Sequence, residues 1–136
     1  MNGPDHLDAS GSRRVDVRVR ASPEVVVRVR ESLRDLELPT ALKDQAELLV
    51  SEMVTNSILH SGLRPEDEIR ICATWSGTRL RVDVRDRHRT PRPSPLAGSI
   101  RPEPGAESGW GLYLVDRLAS RWGIRSWGYW FELEIG

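Results

Sequence analysis

The stretch from Thr40 to His60, TALKDQAELLVSEMVTNSILH, constrains the fold of this 136-residue chain more than any other. Leu42, Ala46, Leu49 and Met53 recur at helical spacing and form an apolar arc along one side of a helix. Leu48, Val50, Val54, Ile58 and Leu59 spread apolar surface round most of the remaining circumference. A helix apolar on most sides belongs in the interior, with other elements packed around it. Ser61-Gly62 stops it. The length is near that of one domain, and the apolar content supports a single packed core.

The flanking segments say what packs around that helix. Residues 1–12, MNGPDHLDASGS, combine Gly, Pro, Asp and Ser without apolar periodicity and read as a disordered tail. RVDVRVR (14–20) alternates valine with charge at period two, as a half-buried strand does. Ser22-Pro23-Glu24 supplies an N-cap, a first-turn proline and an early acid, which predicts a helix from there to about Leu36. Pro39-Thr40 ends that segment and caps the central helix. EIRICATW and TRLRVDVRD read as two strands joined at Ser76-Gly77. Residues 87–108 are rich in proline and glycine and poor in core residues; a loop that long inside one domain is usually functional. GWGLYLVDRLASRW follows as a short amphipathic helix opening on two glycines, and IRSWGYWFELEI closes the chain as two strands about a turn at Gly128. The order β-α-α-β-β-loop-α-β-β predicts an α+β two-layer sandwich: a mixed, mostly antiparallel sheet with about three helices on one face.

Composition narrows the function classes. Twenty basic residues balance twenty acidic ones, so no charge excess is available to hold nucleic acid or an anionic membrane surface. Cys72 is the only cysteine, which excludes an internal disulfide and a cysteine-based zinc site and suits a reducing compartment. As a small residue in a strand it is expected to do no more than pack. No stretch approaches the roughly 20 apolar residues of a membrane span, and the N-terminus lacks a signal-peptide core. A cytoplasmic location is expected.

Four features carry chemistry. Glu52 and Asn56 lie about 40° apart on the central helix, beside the Leu49/Met53 arc. A carboxylate and an amide aimed into a partly buried space can hold Mg²⁺, which takes hard oxygen ligands, and can orient a nucleophile. The alternative is that both face solvent, as most Glu and Asn do. His60, at the helix C-terminus, can serve simply as a partner for the last carbonyls. Asp86 ends a strand, where a carboxylate can accept a hydrogen bond from an exocyclic amine such as that of adenine; a plain turn aspartate is the alternative. Gly109-x-Gly111 opens a helix, so its backbone can approach a ligand closely and its first-turn N–H groups attract phosphate. Of the five tryptophans, core packing accounts best for Trp75, Trp122, Trp127 and Trp130, whereas Trp110 stands inside the candidate ligand loop.

Taken in order, Glu52-x3-Asn56-x3-His60, Asp86 at a strand end, a long loop, and Gly109-x-Gly111-Leu112 opening a helix resemble the histidine-kinase-like ATPases (GHKL, Bergerat fold) over about residues 15–135. LLVSEMVTNSILHSG, LRVDVRD, GWGLYLVDRLASRWGI and WFELEI are similar to the small actinobacterial anti-sigma-factor serine kinases. The resemblance implies that residues 13–136 form an ATP-binding domain with residues 87–108 as its lid. It implies ATP and Mg²⁺ as cofactors, with Asn56 holding the metal and Glu52 acting as general base or orienting the attacking serine hydroxyl. Asp86 would read the adenine amine, and Gly109, Gly111 and Leu112 would hold phosphate, with Trp110, His60 and His88 at the nucleotide's border. A sigma factor and an anti-anti-sigma (STAS-type) protein are the implied partners, and a homodimer the implied assembly. His88 and Thr90 stand where the family has glycines, and Gly128-Tyr129 stand near its usual late threonine. Those departures imply altered nucleotide affinity and leave open a second reading, a non-catalytic module that sequesters a protein partner. A two-component histidine kinase is disfavoured, since the sequence offers no room for a phosphoacceptor helical hairpin.

Overall fold

The computed structural model describes residues 12–22, 24–60, 62–87 and 110–135, with Trp110 as backbone only. The expectations for residues 1–11, Pro23, Ser61, His88, Thr90, Gly109, the Trp110 side chain and the lid from residue 88 onward lie outside them.

Five strands form one sheet: β1 (Arg13–Arg20), β2 (Glu68–Trp75), β3 (Arg79–Arg85), β4 (Arg121–Arg125) and β5 (Gly128–Glu134), in the order β1-β2-β3-β5-β4. All four pairings are antiparallel. Three helices, α1 (Val25–Leu33), α2 (Thr40–His60) and α3 (Trp110–Leu118), pack against each other and the sheet. The result is the α+β two-layer arrangement that the element order predicts, with a wholly antiparallel sheet among the described residues in place of the mixed one expected.

The alternation of Val15, Val17 and Val19 with charge turns the valines toward the helices and Asp16, Arg18 and Arg20 the other way. Ile69, Ile71 and Ala73 on β2 and Leu80, Val82 and Val84 on β3 repeat the pattern. They meet Leu49, Val50, Met53 and Val54 of α2, all fully buried. Burying four such side chains stabilises the fold by about 1.5–3 kcal/mol each relative to leaving them in water. Leu48 and Leu59, expected in the interior, are instead 38% and 64% exposed. The sheet takes one side of α2 while α1 and α3 take its flanks, so part of its circumference faces outward.

Several boundaries differ from the sequence expectation. Glu24 precedes α1 without a side-chain cap, and Ser22 contributes its carbonyl, which accepts from the Val25 N–H at 3.0 Å. The helix is α-type only to Leu33; a 3-10 turn, Arg34–Leu36, carries it on to Glu37, which at φ 51° is left-handed and breaks it. Trp122 lies in β4 and does not end a helix. Helix α3 stops at Leu118, the Ser120 N–H already donates to Glu132 O at 2.8 Å, and the Trp122 indole N–H donates back to Asp116 of α3 at 2.9 Å. The last turn is Ser126-Trp127, so Trp127 is not a strand residue, and Gly128 is the first residue of β5.

Cys72 packs on the sheet side away from the helices, beside Asp16 and Arg14, and burial pushes its thiol above the usual range. No described helix is long and apolar enough to cross a membrane.

Candidate functional site

Helix α2 is held from both sides, which fixes where its polar residues point. Arg30 of α1 reaches Glu47 at 3.6 Å on one flank, and α3 lies along the other. Glu52 and Asn56, one turn apart, look toward the first turn of α3. A Cβ placed on Gly111 would lie 2.9 Å from Glu52 Oε1 and 3.6 Å from Asn56 Nδ2. Both side chains are half-buried and face another element, not open solvent. Burial pushes the Glu52 carboxyl above the usual carboxylate range, because removal from water penalises the charged form. Asn56 Nδ2 is buried and has no hydrogen-bond partner among the described residues. A buried amide left unsatisfied costs about 1–3 kcal/mol, a cost that a bound water or a ligand's acceptor atom at this NH₂ group would offset.

Gly111, expected to let the backbone approach phosphate, is buried in the first turn of α3, and its missing side chain also lets the helix close on Glu52 and Asn56. Leu112 is half-buried and packs against the core, so its side chain anchors α3 while its backbone belongs to the helix's first turn. His60 is the last residue of α2 and is exposed.

Asp86 follows β3 directly, at the position that continues the helix-facing register of Leu80, Val82 and Val84. Its N–H donates to Trp127 O at 3.0 Å, so the β3 end and the β4–β5 turn hold each other. Trp127 is not core here: its ring lies 4.2 Å from the Arg85 guanidinium. Both residues line a cleft of about 520 Å³ in which Arg18, Arg70 and Arg87 stand with the carboxylates Glu66, Asp67, Glu68 and Asp86. That cleft shares Asp86 with the predicted site and neither Glu52 nor Asn56. The sequence carries a signal for the Arg85–Trp127 stack only once strand order is known, because the two residues meet between the end of β3 and the β4–β5 turn.

The carboxylate–amide pair on a central helix, closed by the glycine-bearing start of another helix, agrees with the family comparison. The histidine kinase-like ATPase domain matches residues 16–128, most of the chain. The chain belongs to that family. No curated protein matches it closely enough to add a relative. A histidine kinase-like ATPase domain implies ATP, commonly with Mg²⁺, as its ligand. The donors present fit such a metal: Glu52 and Asn56 offer hard oxygen atoms one turn apart beside the start of α3, and Mg²⁺ at a nucleotide needs only one or two protein oxygens, the rest being phosphate and water.

The Gly111 contact gives a first expected result. Alanine there needs Glu52 to move by a few tenths of an ångström, which a carboxylate end can do, and alanine favours helix over glycine by about 1 kcal/mol. Gly111→Ala is therefore expected to melt at or above the parent's temperature and to bind Mg-ATP about tenfold more weakly, since small misplacements at a site are costly. Thermal melting and calorimetry on the same sample check both halves.

Proposed function

We propose that this chain is an ATP-dependent protein serine kinase of the anti-sigma-factor type, which binds a sigma factor and phosphorylates an anti-anti-sigma (STAS-type) protein on serine, working as a homodimer. The observation that supports it best is the Glu52–Asn56 pair, with a carboxylate of raised proton affinity beside an unsatisfied buried amide, facing the start of α3. The molecular charge balance, twenty against twenty, argues for protein partners over nucleic acid.

In this reading Asn56, through its amide oxygen, would hold the Mg²⁺, which would supply positive charge to offset that of the phosphates. Glu52 takes the proton of the attacking serine hydroxyl as the oxygen bonds to the γ-phosphorus. The bond between that phosphorus and the β–γ bridging oxygen breaks, ADP leaves, and Glu52 returns its proton to water. A base with a pKa raised by burial is better matched to that task than an exposed glutamate. Asp86, fixed through its backbone to Trp127 O, accepts from the adenine amine. The first-turn N–H groups of α3, at Gly111 and Leu112, face the phosphates, and Gly109, Trp110, His60 and His88 border the nucleotide.

Calorimetric titration with ATP in magnesium, parent beside Asn56→Ala, tests the reading. The parent is expected to bind, and the variant to bind at least about tenfold more weakly, as expected for loss of a polar contact to a charged group. Equal binding by both removes Asn56 from the metal site. No binding by the parent favours the sequestering module, for which His88 and Thr90 in place of glycines are the supporting observation.

A further inference from the structure

The sheet face turned away from the helices carries a charge pattern that composition conceals. Strand register places Arg18 opposite Arg70, Arg70 opposite Arg85, Arg85 opposite Gly128, and Gly128 opposite Arg125. Along the five strands, the residues that share this face number nine arginines and five carboxylates. That is four positive charges in excess, on a chain that nets zero, so the rest of the molecule carries the matching negative excess. Like charges placed directly opposite on neighbouring strands are destabilising, and three arginines side by side are an arrangement that folding alone does not favour. Asp16 answers only one of them, at 2.7 Å from Arg70. Arg18 has no ion pair among the described residues.

Two tryptophans lie in this face beneath guanidinium groups: Trp127 against Arg85 at 4.2 Å, and Trp130 under Arg81 at 4.2 Å and Arg125 at 5.9 Å. Trp130 lies flat because Gly123 opposite it has no side chain; a Cβ there would lie 2.5 Å from the indole nitrogen. The row is thus a rigid, partly stacked set of forks with its exposed ends outward, and Gly128 leaves a gap in it between Arg85 and Arg125.

We propose that this open sheet face, along Arg18, Arg70, Arg85 and Arg125, docks an acidic segment of a partner protein. Guanidinium forks match carboxylates in pairs. Strands about 4.8 Å apart give the row a span of roughly 19 Å, within reach of an extended segment of six or so residues. A nucleic acid backbone, with evenly spaced charge, would run onto Asp83 and Glu132, which interrupt the neighbouring rows of the same face. A second copy of this chain would set one positive face against another. The proposal does not depend on phosphoryl transfer, because the face lies across the sheet from Glu52 and Asn56.

The test uses the whole chain, its tryptophan fluorescence as signal, and a synthetic decapeptide of alternating Glu and Ser as probe. Arg18→Glu/Arg125→Glu is compared with Arg34→Glu/Lys43→Glu, which makes the same charge change at exposed positions in the helix layer. The peptide is expected to bind saturably, more weakly as salt rises, and at least about tenfold more weakly to the sheet-face variant, while the helix-layer variant stays within about twofold of the parent. Arg18→Gln/Arg125→Gln, which removes the two positive charges without adding negative ones, replaces the reversal if melting shows that it does not fold. Absence of saturable binding overturns the proposal. So does equal weakening by both variants, which would mean net charge alone, or tighter binding of an oligothymidylate of equal charge, which would point to nucleic acid.

Discussion

Glu52→Gln is expected to lower phosphoryl transfer by about 10²–10⁴, the usual worth of a positioned general base, while leaving Mg-ATP bound and making the folded chain more stable at neutral pH. The two changes have one cause. Burial raises the Glu52 carboxyl above its ordinary value of 4.5, so the folded chain holds a proton that the unfolded chain has released. Stability from that proton is fully present below the unfolded value and is lost as pH rises through the folded one. Above both, the charged form is buried at a cost that glutamine, of nearly the same shape, avoids. Urea unfolding at pH 4 and pH 8 checks the sign: parent and variant are expected to agree closely at the lower pH, with the variant ahead at the higher. The parent's kcat/KM should also show an acid limb above the range of an exposed glutamate. If the variant is less stable at pH 8 and transfers phosphate as well as the parent, Glu52 is a structural carboxylate and the base is elsewhere.

What made this site partly legible is that α2 carries its own pattern. Apolar residues at helical spacing place the helix centrally, and polar residues that interrupt such a run need a partner, so Glu52 and Asn56 stand out without any tertiary knowledge. Gly111 does not. Its neighbours in sequence suggest a ligand loop, but what its missing side chain accommodates lies about sixty residues earlier on α2, and no local pattern encodes that approach. The helix boundaries show the same limit. Ser22 looks like a side-chain cap and acts through its carbonyl, and the end of α3 is decided by Ser120 joining β5, a long-range bond. The charged sheet face was hidden more deeply. RVDVRVR shows that one side of β1 is charged, but the arginine row exists only when β2, β3 and β4 are set beside it in register.

Gly128→Ala is expected to destabilise the chain by about 3–5 kcal/mol, combining backbone strain with overpacking that cannot relax. Gly128 has φ +150°, a conformation L residues rarely adopt, and a Cβ there would press into the Val84 carbonyl oxygen, 2.9 Å from its carbon and 3.0 Å from Arg85 Cα. These are backbone atoms of the neighbouring strand, so no rotamer change makes room. Nor can β5 back away, since it lies between β3 and β4 and is buried from Gly128 to Leu133. Gly77 separates the two contributions: it has φ +98° and nothing within 4 Å of a Cβ, so Gly77→Ala bears strain without the clash and is expected to lose about 1 kcal/mol. Denaturant midpoints of the two variants measure the difference. Because Asp86 N–H is bonded to Trp127 O immediately beside the Gly128–Arg85 pair, the clash also pushes on a backbone bond that positions Asp86. ATP affinity measured on the folded fraction should therefore fall in Gly128→Ala and hold in Gly77→Ala. A loss of stability in Gly128→Ala with unchanged affinity would mean that ATP binding does not depend on the position this pairing gives Asp86.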